Sequence, residues 1–142
     1  MLKVARVFGK TSTVLEPTQF GSAFVVKGTV GVEQIDPLLS AVVNDIAAGG
    51  HMAAVCDYRQ ADMTIGASRI VQAHASGGIA LDWPTALVVP REQQNLWQDY
   101  AAMQGQRGKL RRVFLEWEPA RKWAEEQAAL RAAQFRWFSR AR

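Results

Sequence analysis

The sequence predicts a single α/β domain built on a mostly parallel sheet of four to five strands. Two observations carry this. Short apolar, often β-branched runs alternate with segments of some ten to twenty residues at helical spacing, and most boundaries hold a Gly, Pro or Asp able to stop or start an element. The clearest stretch runs from Thr85 to about Ala129 and reads strand, helix, strand, helix. A chain of 142 residues with 49% hydrophobic and 21% charged content fits one ordinary core.

Residues 1–20 hold two short apolar pieces, Val4 to Phe8 and Val14-Leu15, separated by Gly9-Lys10-Thr11-Ser12. They suit a hairpin arm or an antiparallel edge strand. Ala23 to Lys27 is rich in β-branched and aromatic residues and reads as the first central strand, with Gly28 to Gly31 as its end. Asp36 is positioned as a helix N-cap with Pro37 at the first helical position. Ile35, Leu38, Leu39, Val42, Val43 and Ile46 then recur at helical spacing until Gly49-Gly50.

A strand from His51 to Cys56 follows, and Thr64 caps a short helix with Ala67, Ile70, Val71 and His74 inward. Thr85 to Val89 is a strand stopped by Pro90, and the next helix lines up Leu96, Trp97, Tyr100, Ala101 and Met103 before Gly105 and Gly108. Leu110 to Leu115 is the last strand. A long helix from about Pro119 to Ser139 presents Ala120, Trp123, Gln127, Leu130, Gln134 and Trp137 on one line. Parallel strands joined by helices require right-handed crossovers and a covered sheet. The chain reads as one domain over residues 1–142, with 130–142 a basic aromatic helical tail.

The net charge of +4 is unevenly spread: residues 1–90 carry six basic and seven acidic side chains, residues 91–142 eleven and six. The tail interleaves Arg131, Arg136, Arg140 and Arg142 with Phe135, Trp137 and Phe138. Such a mixture suits an anionic membrane or nucleic-acid bases. The favoured reading packs Phe135, Trp137 and Phe138 against the body or a second copy, with the arginines in water, which makes a homodimer the expected assembly. No apolar run reaches the roughly 20 residues of a membrane span, and the first residues lack a signal-peptide core, so a cytoplasmic location is expected.

One cysteine, Cys56, and two histidines supply no zinc cluster, and no metal or cofactor is expected. Cys56 lies in an apolar strand, where a thiol is buried and inert. Phosphate-loop, nucleophile-elbow and His-Glu-x-x-His patterns are absent. Asp57 stands where open α/β sheets place functional groups, yet the acidic pair and lysine that a phosphoacceptor aspartate needs have no counterpart. The plainer reading has Asp57 capping the following turn.

Several pieces together resemble the sulphate-transporter and anti-sigma-factor-antagonist (STAS) superfamily. They are Phe24-Val25-Val26-Lys27-Gly28-Thr29-Val30, Val55-Cys56-Asp57-Tyr58, Ala86-Leu87-Val88-Val89-Pro90, Gly108 followed by Leu110 to Leu115, and Ala120-Arg121-Lys122-Trp123. The likeness covers roughly residues 20–128 and is to the small stand-alone bacterial members. It implies a STAS-like fold and a module that docks onto a protein or binds a small ligand without chemistry. Antagonist members carry a phosphorylated serine at a helix start; the matching place here is Ile65-Gly66, between Thr64 and Ser68, so that switch is not implied. The expected function is therefore a non-enzymatic docking and self-associating module. The alternative is a small-molecule or lipid-binding domain using a crevice formed by Asp57, Thr64 and Ser68.

Overall fold

In the computed structural model, which describes residues 4–18, 21–49, 52–76 and 82–140, six strands lie side by side in chain order. These are β1 (Val4–Phe8), β2 (Thr11–Pro17), β3 (Ser22–Val30), β4 (Ala54–Met63), β5 (Thr85–Val88) and β6 (Arg111–Phe114). The β1–β2 and β2–β3 pairings are antiparallel, and the three that follow are parallel. The sheet has six strands, beyond the four to five expected, because the N-terminal arm is a full hairpin.

Helices α1 (Val32–Gly49), α2 (Ala67–Ser76) and α3 (Gln94–Gln106) link successive parallel strands. Right-handed connections between adjacent strands must all land on the same face. The larger core shows this: Ile35, Leu38 and Ile46 of α1, Ile70 of α2 and Trp97 of α3 pack with Phe24, Val26, Cys56 and Leu87. Helix α4 (Trp117–Arg140) leaves the β6 edge and returns on the other face, where Ala120, Trp123, Ala124 and Ala128 meet Val55, Ala86 and Val88.

Two boundaries differ from the sequence reading. Helix α1 starts at Val32, a turn before Asp36-Pro37, because Gly31 serves as N-cap: its carbonyl accepts from Gln34 and Ile35 N–H, and Gln34 Oε1 accepts from Gly31 N–H at 2.9 Å. Pro37 sits inside the helix on its exposed side, where the missing N–H is tolerated, and Asp36 pairs with Arg69 of α2 at 2.7 Å. Gly66, whose carbonyl accepts from Ile70 N–H, starts α2 in place of Thr64.

Strand β3 runs through Gly28 to Val30. Gly28 has φ +90°, and a Cβ there would meet the Lys10 carbonyl oxygen at 2.0 Å, so glycine permits the hairpin to close on β3. Strand β4 continues well beyond Cys56, because its second half pairs with the second half of β3 after a bulge: Val25 faces Asp57, but Lys27 faces Gln60. The extra residue resets the alternation, so that Ala54, Cys56 and Tyr58 before it and Ala61 and Met63 after it all face α1–α3. Beyond Asp57, β4 outruns β5, and the Ala61 carbonyl accepts instead from Gln93 Nε2 at 2.8 Å.

Candidate functional site

At the amino ends of β5 and β6, where helices α2 and α3 close over the sheet, the side chains of His74, Asp82, Tyr100, Lys109 and Arg111 come together. Arg111 opens β6 with its side chain only 4% exposed. A buried guanidinium demands partners for all its donors. Nη1 and Nη2 donate to the two Asp82 oxygens at 3.0 and 2.8 Å, Nη1 also to the Trp83 carbonyl at 3.0 Å, and Nε to the Tyr100 hydroxyl at 3.5 Å. Burial and the Asp82 and Tyr100 contacts act on Arg111 in opposite directions, and the contacts prevail to hold it fully cationic.

Arg111 Nη2 also lies 3.1 Å from Nε2 of His74, near the end of α2, while Lys109 Nζ lies 3.2 Å from Nδ1 of the same ring. Lys109 reaches this position through the end of α3. Gly108, at φ +76°, lets the Gly108 and Lys109 N–H groups bond back to the Gly105 and Gln104 carbonyls, which turns the chain toward α2. Burial, then the Arg111 and Lys109 charges, press the His74 imidazole down to about 4, so it is neutral at pH 7. Burial likewise lowers the Lys109 ammonium from its ordinary value.

Below this cluster lies a cavity of about 40 Å³. His74, Asp82, Tyr100 and Arg111 form its polar wall, and Leu39, Val42, Ile46, Trp83 and Leu87 belong to its apolar one. Cys56 lines it too, its thiol pushed up to about 12 by burial, which leaves it protonated and unreactive.

A second feature lies on the opposite face. Arg131 of α4 donates to the Asp82 carbonyl at 2.8 Å, and next to it Pro84, Gln127, Leu130, Gln134 and Phe135 line an open groove of about 400 Å³. Along this part of the helix Leu130, Phe135 and Trp137 are 58, 55 and 65% exposed.

The residues singled out from sequence fall in separate places. Asp57 lies inside β4 on the α4 side of the sheet, buried, its carboxylate held by Arg59: Nε and Nη2 donate at 3.0 and 2.8 Å and the backbone N–H at 3.0 Å. No turn follows Asp57, since β4 runs on to Met63, so the carboxylate holds Arg59 within the strand instead of capping a turn. Thr64 follows β4 roughly 20 Å along the strand from Asp57, its hydroxyl donating to the Val30 carbonyl at 3.3 Å, and Ser68 is exposed on the first turn of α2. Thr64 and Ser68 are therefore neighbours, and Asp57 does not join them. Phe135 and Trp137 sit on the projecting end of α4; the Phe138 side chain and His51 lie outside the described residues. The sequence alone did not single out Arg111, Asp82 or Lys109. The available signal was Arg111 at an inward position of a strand, alternating with Val113.

The chain matches no protein family and no curated protein by sequence. By structure it is similar to the crystal structure of an uncharacterised DUF3478-family protein with a SpoIIAA-like fold from Shewanella loihica PV-4. The TM-score is 0.52 and the identity 17%, over 80% of this chain and 93% of that one. The fold is SpoIIAA-like. The STAS-like architecture expected from the sequence is thus present, including the antiparallel N-terminal edge. Among the described residues of this SpoIIAA-like chain, no helix is long and apolar enough to cross a membrane.

Proposed function

We propose that this chain is a non-enzymatic docking module of the cytoplasm that self-associates through the end of α4. The observation that supports this reading is the concentration of exposed Leu130, Phe135 and Trp137 within eight residues of one helix, beside the groove lined by Pro84 and Gln134. The last twelve residues of α4 extend roughly 18 Å at 1.5 Å per residue, past the point where Ala128 makes the final core contact. Large aromatic side chains with arginine are the composition that interface centres favour. Leu130 and Trp137, at positions 130 and 137, fall two turns apart on one face of α4, which suits packing against a second copy.

The groups with nucleophilic or acid–base potential support a role without chemistry. Cys56 is buried and protonated, and both Asp57 oxygens are engaged by Arg59. Light scattering on the full chain and on a chain ending at Leu130 tests the proposal. The expected result is a dimer that becomes a folded monomer on truncation. A full-length monomer would overturn self-association, and sedimentation of that monomer with anionic vesicles would reassign the Arg131 and Arg136 helix to a membrane surface.

A further inference from the structure

The hydrogen-bond inventory around His74 does not close. A neutral imidazole carries one N–H and one accepting nitrogen, whereas Lys and Arg can only donate. Both ring nitrogens nevertheless face cationic donors, Nδ1 toward Lys109 Nζ at 3.2 Å and Nε2 toward Arg111 Nη2 at 3.1 Å. One of the two contacts must set hydrogen against hydrogen. Arg111 is locked by its two bonds to Asp82 and cannot turn away, so Nε2 accepts from it. Nδ1 then carries the proton and points it at the ammonium of the half-buried Lys109.

The charges facing this ring are Lys109 and Arg107 from the turn before β6, Arg111 on β6 and Asp82 ahead of β5; the Tyr100 hydroxyl from α3 accepts from Arg111 Nε. Asp82 is taken up by Arg111, and among the described residues no carboxylate lies within ion-pair distance of Lys109. The cluster is one anionic acceptor short.

The cavity beneath it sets the rest of the ligand. His74 lines this cavity beside the apolar wall of Leu39, Val42 and Leu87, whereas Lys109 is not among its lining residues. A water needs about 10–15 Å³ by this measure of volume, so the available 40 Å³ takes about three or four groups of that size. A hydrated phosphate would gain nothing from such a wall, whereas an ethyl or propyl chain would.

We infer that this site binds a short-chain monocarboxylate, whose oxygens accept from His74 Nδ1–H and the Lys109 ammonium while its alkyl end enters the cavity. The assignment is independent of the α4 docking surface, which lies on the other side of the sheet. It makes His74 and Lys109 ligand-contacting residues and Arg111 and Asp82 the frame that fixes the ring.

NMR of the imidazole nitrogens in the full chain tests this, with propionate as the probe and sodium chloride at matched ionic strength as the control. The His74 signal, assigned by its loss in His74→Asn, should shift saturably with propionate, with a Kd of about 0.1–10 mM as a five-heavy-atom ligand allows. Its protonation midpoint should rise on saturation, because the bound carboxylate favours the imidazolium. Formate, lacking the alkyl chain, should bind several-fold more weakly, and Lys109→Met, on the exposed side of the cluster, should weaken propionate about tenfold or more. A His74 signal that stays still to about 100 mM propionate, or that moves equally with chloride, would overturn the site. Equal binding of formate and propionate would overturn the alkyl pocket.

Discussion

His74 ties the stability of the fold to pH. In the unfolded chain the imidazole takes up a proton near 6.5, whereas in the fold burial and the neighbouring cations resist protonation until about 4. Between those values the unfolded state binds more protons, so stability falls as the pH drops from about 6.5 to about 4. The loss amounts to on the order of 2–3 kcal/mol after allowance for partial solvation. Urea unfolding at pH 6.5 and pH 5 should show this slope in the native chain and a flatter one in His74→Asn. Equal slopes would mean that the ring charges freely within the fold. At this scale the sequence located chemistry poorly. It drew attention to Asp57, whose carboxylate is satisfied two residues away by Arg59, and did not mark Arg111. The identity of a residue does not disclose its partner when the two are 29 positions apart, as Arg111 and Asp82 are.

Helix α4 illustrates how a single element can hold two different surfaces. Its first half buries Ala120, Ala124 and Ala128 flat against Ala86 and Val88, with Trp123 against Phe114 at 6.0 Å between ring centroids. Small residues on helix and strand bring the two backbones close, so added volume has nowhere to go. Ala124→Leu should cost about 1–3 kcal/mol by overpacking, measured by urea unfolding, whereas the same change at the exposed Ala133 should leave the midpoint nearly unmoved. Element boundaries were legible where one residue decides them and obscure where two signals compete. Helix α1 runs to Gly49, where the sequence placed its stop, while Asp36-Pro37, a well-formed start signal, loses to Gly31 and Gln34 one turn earlier. In β3, Gly28 read as a stop is a mid-strand point of close approach, a distinction that depends on Lys10 in another strand.

Across the whole molecule, cover is unequal. Among the described residues three helices back one face of the sheet, α4 packs mainly on β4, β5 and β6 on the other, and β1 pairs along one edge, with Val7 75% exposed. Hydrogen exchange should therefore release the β1 amides first and those of β4 and β5, paired on both sides near Val55 and Leu87, last. Protection of β1 equal to that of β4 would show that another chain covers the edge. The alternation of strands and helices made the parallel half of the sheet readable from the sequence. The hairpin half was read only as an arm, because pieces of five to seven residues bounded by Gly9 and Pro17 do not announce which strand they will pair with.

The bulge in β4 has a consequence for how the chain tolerates change in length. Upstream of it the core positions fall on even numbers, Ala54, Cys56 and Tyr58; downstream they fall on odd ones, Ala61 and Met63. The strand is thus written in two frames, and the single surplus residue between Tyr58 and Ala61 is the frame shift. Deleting Gln60 would leave the pairing of the first half untouched and present a regular strand whose inward positions remain apolar throughout. The segment can lose a residue without scrambling its hydrophobic message, a latitude that the uninterrupted alternation of β5 does not have.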